Sequence, residues 1–187
     1  MSNSRHRPAR RVTVYAASSR ALAADYFSAA SELGRRLAEQ GMPICYGGGG
    51  AGLMGALANA ALEAGGQVHG VIPDFLQEIE AGHDRLTSLE VVSDMRVRKA
   101  RMLEDSRGVI ALPGGCGTFE ELFEAITLKR LGFFFGPIIL INTRGYYSRL
   151  MDFLDHSVAE HFMSKGHAQM WQCVATPDKA VALLDSS

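Results

Sequence analysis

Cysteine is scarce in this chain of 187 residues. Cys45, Cys116 and Cys173 stand far apart, and no CxxC pair occurs. An odd, widely spaced set speaks against a disulfide scaffold and against a structural zinc site. Neither sign of charge is in surplus: 19 Lys and Arg face 20 Asp and Glu, a formal net charge of −1. A dedicated nucleic-acid binder carries a basic surplus, so no nucleic-acid partner is expected. Long apolar runs are missing too. The longest, around residues 133–141 and 109–112, fall far short of a membrane span, and no membrane partner is expected. The late histidines His156, His161 and His167 form no HExxH pattern, so no metal is expected. Internal repeats, low-complexity tracts and linkers are also lacking.

Hydrophobic residues make up 47% and charged residues 21%, the balance of an ordinary globular chain with enough length for one core. Residues 1–10 are polar, carry Arg5, Arg7 and Arg10, and show no apolar core of the signal-peptide type. They read as a disordered basic tail, with a single domain over 11–187 and a cytoplasmic location.

Short apolar, β-branched runs alternate with longer helical patterns. Strands are expected at 12–16, 43–46, 67–72, 88–92, 108–112, 137–141 and 172–175. Helices are expected at 25–40, 53–64, 94–106, 118–131, 146–161 and 177–184. Asp94 suits an N-cap, and Pro177 suits a first helical turn. Strands that read as continuous apolar runs imply a parallel sheet covered on both faces. The fold class is therefore α/β, a doubly wound, Rossmann-like single domain. In such folds ligands sit at the carboxyl ends of strands, near a switch in strand order.

Two glycine loops fall where that rule directs attention. The first contains GxGxxG at Gly47, Gly49 and Gly52, with Gly48 between, and joins a strand to a helix. It reads either as a phosphate loop or as a tight turn required for helix–strand packing. The second is Pro113-Gly114-Gly115-Cys116-Gly117-Thr118-Phe119-Glu120-Glu121. Its glycines expose backbone N–H groups at a helix start, and the Thr118 hydroxyl adds a donor, which together make an anion cradle with no need of a lysine. No Walker lysine follows either loop, which argues against a P-loop NTPase. Glu120 and Glu121 fall in the first helical turn, as caps or beside the sugar of a phosphate-anchored ligand. Upstream, Asp94-Met95-Arg96-Val97-Arg98-Lys99-Ala100-Arg101-Met102 offers an arginine as a phosphate or carboxylate clamp.

The stretch from Pro113 to Glu121 resembles the PGGxGTxxE motif of the LONELY GUY (LOG) proteins, cytokinin riboside 5′-monophosphate phosphoribohydrolases. Tyr46 to Gly55 resembles their GGGxxGLMG loop, and Asp94 to Met102 their DMxxRKxxM segment, in family order and at family spacing. The resemblance implies hydrolysis of the N-glycosidic bond of a nucleoside 5′-monophosphate, either an N6-modified adenosine monophosphate or plain AMP, giving free base and ribose 5-phosphate. It implies Arg98 and Glu121 as the catalytic pair. Substrate contacts would come from Glu80, Lys99, Gly115, Cys116, Gly117, Thr118, Phe119, Glu120 and Thr127, with Gly47, Gly48, Gly49 and Gly114 in the phosphate loops. It further implies a homodimer with the site near the subunit interface, and no cofactor. Where similar proteins carry a tryptophan and a glutamine, this chain reads Leu128-Lys129-Arg130-Leu131-Gly132, a departure that bears on base preference. Relatives are often labelled lysine decarboxylases, but Lys99, Lys129, Lys165 and Lys179 are the only lysines available for a Schiff base.

Breaking the bond between base and ribose builds positive charge on the sugar. Glu121 would stabilise that charge or orient the attacking water, and Arg98 would pair with it or support the departing base. Two other readings remain at this stage: a nucleotide-binding sensor without hydrolysis, and an NAD-dependent oxidoreductase in which Asp74 binds a ribose.

Overall fold

The computed structural model describes residues 10–77 and 82–185. Seven strands form one parallel sheet: β1 (Arg11–Tyr15), β2 (Ile44–Tyr46), β3 (Val68–Pro73), β4 (Ser88–Val92), β5 (Ser106–Ala111), β6 (Ile138–Ile141) and β7 (Gln172–Val174). Their order across the sheet is β4-β3-β2-β1-β5-β6-β7. The chain winds outward from β1 to β4, then returns to lay β5 against the other side of β1. The strand order therefore reverses between β1 and β5, which opens a crevice at their carboxyl ends.

The helices are α1 (Ala24–Glu39), α2 (Gly52–Glu63), the single turn α3 (Asp74–Gln77), α4 (Met95–Leu103), α5 (Cys116–Arg130), α6 (Ser148–Ala159) and α7 (Pro177–Asp185). Alternation along each strand feeds two cores. Val12, Val14, Ile110, Leu112, Ile139 and Ile141 face α1, α2 and α7. Tyr15, Val109, Ala111, Ile138 and Leu140 face the side of α4, α5 and α6. Both sheet faces are covered, which is why the strands read as unbroken apolar runs. The sequence-based fold class and nearly all element positions hold.

One boundary differs. The pattern predicts a helix over 94–106, but α4 stops at Leu103 and Ser106 already belongs to β5. The buried Thr13 hydroxyl of β1 donates to the Met102 carbonyl, and Ser106 donates to the Gly108 carbonyl at 2.9 Å. The first contact satisfies a carbonyl at the helix end from the sheet side, while Asp105 turns the chain at φ 54°. Sequence periodicity carries no trace of such partners. No helix among the described residues is long and apolar enough to cross a membrane.

Candidate active site

A cleft of about 290 Å³ lies at the β1/β5 reversal. Its walls come from the end of β1 and the residues after it (Tyr15 to Ser19), from Gly47 after β2, from Met54 of α2, from Leu76 of α3, from Met95 and Arg98 of α4, and from Gly115, Gly117, Thr118 and Glu121 at the start of α5. Six separate chain segments thus converge where the sequence rule places a ligand.

The two glycine loops do different work here. At α5, Gly115 is the N-cap and has no side chain with which to fill the space in front of the helix. A Cβ added at Gly115 or Gly117 would meet nothing within 4 Å. The opening turn of α5 therefore presents backbone N–H groups and the positive end of the helix dipole to the cleft, an arrangement that suits an anion.

At α2 the corresponding amides are already engaged. The N–H groups of Leu53 and Met54 donate to the Ala17 carbonyl at 2.9 and 3.3 Å. Gly52 has φ +60°, and a Cβ there would lie 2.5 Å from the Ser18 backbone. This part of the loop makes the close packing against the end of β1 that the tight-turn reading expects. Gly48 packs against β3, and Gly49 bridges to Gly82. Gly47 alone of the first loop's named glycines borders the same cleft as Gly115.

Gly47 contributes an acceptor. Its carbonyl takes a hydrogen bond from Arg98 Nη2 at 3.0 Å, and the Val71 carbonyl takes one from Arg98 Nε at 3.1 Å. A Cβ at Gly47 would sit 2.2 Å from Arg98 Nη2, so glycine is what allows the guanidinium this close. Anchored to main-chain oxygens at the ends of β2 and β3, Arg98 holds Nη1 3.9 Å from Glu121 Oε1. Both residues are nearly buried, at 7% and 8% exposed.

Burial is the largest influence on Glu121 and raises its pKa from the ordinary 4.5 to about 7. Glu120 and Glu124 push the same way, while Arg98 and Lys99 pull it down only in part. A carboxyl that titrates near neutrality can exchange a proton with a reacting group. Tyr15, beside it on the cleft wall, is held well above its usual value by burial and then by Glu121, and so stays protonated.

Other named residues lie elsewhere. Lys99 ion-pairs with Glu120 and, at 2.5 Å, with Glu124. Burial alone would lower the Lys99 pKa, but hydrogen bonds to Glu120 and Glu124 outweigh it and hold the ammonium above its usual value. Cys116 is exposed at the helix start, and Phe119 stacks parallel to Tyr146. Thr127 donates to the Phe123 carbonyl at 2.7 Å and lines a separate groove with Ile126, Phe162 and Trp171, away from the cleft. Glu80 lies outside the described residues, as do residues 1–9 of the basic tail. Asp74 opens α3 and accepts from the Phe75 N–H at 2.7 Å. Ser18, Ser19 and Leu76 also line the cleft and belong to none of the sequence motifs. Their signal was positional: the first two follow β1, the strand at the topological switch.

The arrangement defines an α/β site suited to an anionic ligand, with the open start of α5 and, a turn further along the same helix, Glu121 paired with the buried Arg98 of α4. A family model described as "Possible lysine decarboxylase" matches residues 54–184. The chain is 44% identical over 154 residues to a cytokinin riboside 5′-monophosphate phosphoribohydrolase from Rhodococcoides fascians, covering 82% of this chain and 78% of that one. It is 42% identical over 155 residues to the enzyme of the same name, LOG1, from Arabidopsis thaliana, covering 83% and 73%. The molybdenum cofactor carrier protein of Chlamydomonas reinhardtii shares the fold with a TM-score of 0.72 at 21% identity, over 95% of this chain and 97% of that one. The chain belongs to the LONELY GUY family.

The decarboxylase description does not fit the residues present. A Schiff-base lysine needs a free amine with a lowered pKa. Lys99 is locked between two carboxylates and raised; Lys129 is lowered by burial but donates to the Gly136 carbonyl at 2.9 Å; and among the described residues no lysine lines the cleft.

Proposed function

We propose that this protein hydrolyses the N-glycosidic bond of nucleoside 5′-monophosphates, cytokinin-type N6-modified adenosine monophosphates or AMP, releasing the free base and ribose 5-phosphate. The observation that carries the reading is the buried Arg98–Glu121 pair lining one cleft together with the open start of α5. The 5′-phosphate occupies the helix start between Gly115 and Thr118. Binding energy gained there, remote from the reacting bond, positions the sugar. The bond from C1′ to the base nitrogen breaks with its electron pair leaving on the base, and positive charge develops on the ribose. The Glu121 carboxylate stabilises that charge and takes a proton from the water that adds to C1′, while the base takes up a proton from solvent, to which Glu121 then returns its own. Arg98 keeps part of the Glu121 population ionised in a site that otherwise favours the acid.

A binding module without turnover gives no reason for a carboxyl of altered acidity beside the sugar. The oxidoreductase reading needs a phosphate cradle at the first glycine loop, and there the Leu53 and Met54 amides are occupied by Ala17. Incubation of the purified protein with AMP and with isopentenyladenosine monophosphate, followed by chromatography for free base, tests the proposal. Absence of base release from both, with nucleotide still bound, would leave the sensor reading in its place.

We further propose a homodimer. Phe133 and Phe135 after α5, Phe153 within α6 and Phe162 just after it are exposed, with Phe135 at 84%. So many uncovered phenyl rings favour a protein partner, and a second copy is the partner the resemblance implies. Light scattering on the eluted protein tests this. Three unpaired thiols support a reducing compartment, in line with a cytoplasmic location.

A further inference from the structure

Two tyrosines that follow β6 reach across to the loop that follows β5. Tyr147 is fully buried, and its hydroxyl donates to the Leu112 carbonyl at 2.7 Å. The Tyr146 hydroxyl donates to the Gly114 carbonyl at 2.6 Å. The two acceptors flank Pro113, immediately before the open start of α5.

The tyrosines are themselves held. Asn142, at the end of β6, accepts from the Tyr147 N–H at 2.7 Å through its side-chain oxygen and donates to Ser148 Oγ at 3.1 Å. The turn Thr143–Gly145 between them places Arg144 and Gly145 at φ 55° and 71°. Arg144 ion-pairs with Asp25 at 2.9 Å and lies 5.9 Å from the centroid of Tyr26. The Tyr146 ring stands edge-on to Tyr26 and Tyr147 and parallel to Phe119, with centroids 6.2, 5.1 and 6.5 Å away. The hydroxyls therefore come from rings fixed against α1, α5 and the start of α6.

In a trans peptide the C=O and the following N–H point in opposite directions. Holding the Gly114 oxygen toward Tyr146 turns the Gly115 N–H the other way. Gly115 lines the cleft, and Tyr146 does not. A donor on a peptide oxygen also polarises the N–H of the same peptide, which strengthens it toward an anion. Glycine on both sides of that bond would otherwise leave the peptide free to rotate.

We propose that Tyr146, with Tyr147 behind it, is a positioning residue for phosphate. It fixes the Gly114–Gly115 peptide so that the start of α5 meets a phosphomonoester with its donors already aimed. The assignment rests on the nucleotide reading above and adds to it the residues that order the cradle.

Tyr146→Phe keeps the ring and its stacking on Phe119 and removes only the hydroxyl. Calorimetric titration of the full chain with AMP, ribose 5-phosphate and adenosine reads the effect. The dissociation constants for AMP and ribose 5-phosphate rise about five- to tenfold, the scale of one lost hydrogen bond. Adenosine, with no phosphate to hold, behaves the same in both proteins. In turnover the loss falls on KM more than on kcat. Tyr147→Phe lowers the Tm as well, because its hydroxyl is buried, and still weakens AMP more than adenosine. Unchanged AMP and ribose 5-phosphate affinity in a folded Tyr146→Phe protein would overturn the assignment. So would an equal loss for adenosine, which would mean a general loosening of the cleft. Wild-type protein that binds neither phosphomonoester would remove both the cradle and the tyrosine role. Wild-type protein that binds AMP without releasing adenine would remove only the hydrolysis, with the tyrosine role judged on the affinities.

Discussion

Arg98 Nη1 lies 3.9 Å from Glu121 Oε1, while the other nitrogens of the same guanidinium are spent on the carbonyls of Gly47 and Val71. The cation is thus fixed by main chain, and the carboxyl is the partner with freedom to change its protonation. Glu121→Gln and Arg98→Ala should each lower turnover of AMP by roughly 10²–10⁴-fold, the usual cost of removing a positioned acid–base or electrostatic group. Circular dichroism should show both proteins folded. A near-normal rate in either variant would remove that residue from the mechanism.

The pH dependence follows from the raised Glu121. If the carboxylate is the working form, kcat/KM rises with pH through about 7, because that quantity reports the free enzyme. The limb should vanish in Glu121→Gln, leaving a low, flat profile. A limb that falls through the same region would assign Glu121 the role of proton donor instead.

Stability should respond to the same group with the opposite sense to an ordinary ion-paired carboxylate. The folded state holds the Glu121 proton more tightly than the unfolded chain does, with pKa about 7 against 4.5. Folding is therefore unpenalised below 4.5, and loses stability as pH rises toward 7, by about 3 kcal/mol once Glu121 is ionised. Glu121→Gln escapes this loss. The Tm of the variant relative to wild type should climb by roughly 5 °C between pH 5 and pH 8.5. Parallel Tm curves would show that Glu121 is not held as an acid.

The two glycine loops should part company on substitution. Gly52→Ala puts a side chain at φ +60° and 2.5 Å from the Ser18 backbone, and should cost about 2–4 kcal/mol in a denaturant melt. Gly115→Ala meets no protein atom within 4 Å, so the fold should tolerate it. Its methyl would stand in the space assigned to phosphate and should raise the KM for AMP by roughly tenfold while leaving the melt near that of wild type. Equal melts for the two variants would contradict the division of labour between the loops.

The fold was largely legible because buried parallel strands advertise themselves as apolar runs, and Asp94 and Pro177 mark the starts of α4 and α7 locally. Arg98, Glu121 and the glycines before α5 were legible for a similar reason, since a short contiguous motif places them. Long-range partners left no such mark. Nothing near Ser106 announces that Thr13 closes α4 from the sheet. Nothing around Tyr146 and Tyr147 announces the acceptors of their hydroxyls, because the carbonyls they bind lie 32 and 35 residues away in sequence. Thr127, one turn and a half along α5 from Glu121, rotates onto the groove side of the helix, where it serves its own backbone. Lys99 follows Arg98 directly, yet it points to Glu120 and Glu124 rather than into the cleft, because successive helical side chains diverge.

Because Arg98 is moored to peptide oxygens, the side chain at position 71 has little say in where its charge sits, whereas position 47 must stay glycine for the guanidinium to reach its place. Met95 touches the guanidinium through its sulfur at 3.7 Å, but Met54 and Leu76, which share the cleft, form no part of that mooring and can be varied without moving the charge. The shape of the cleft and the placement of its charge are to that extent separable, a useful property for anyone wishing to retarget it.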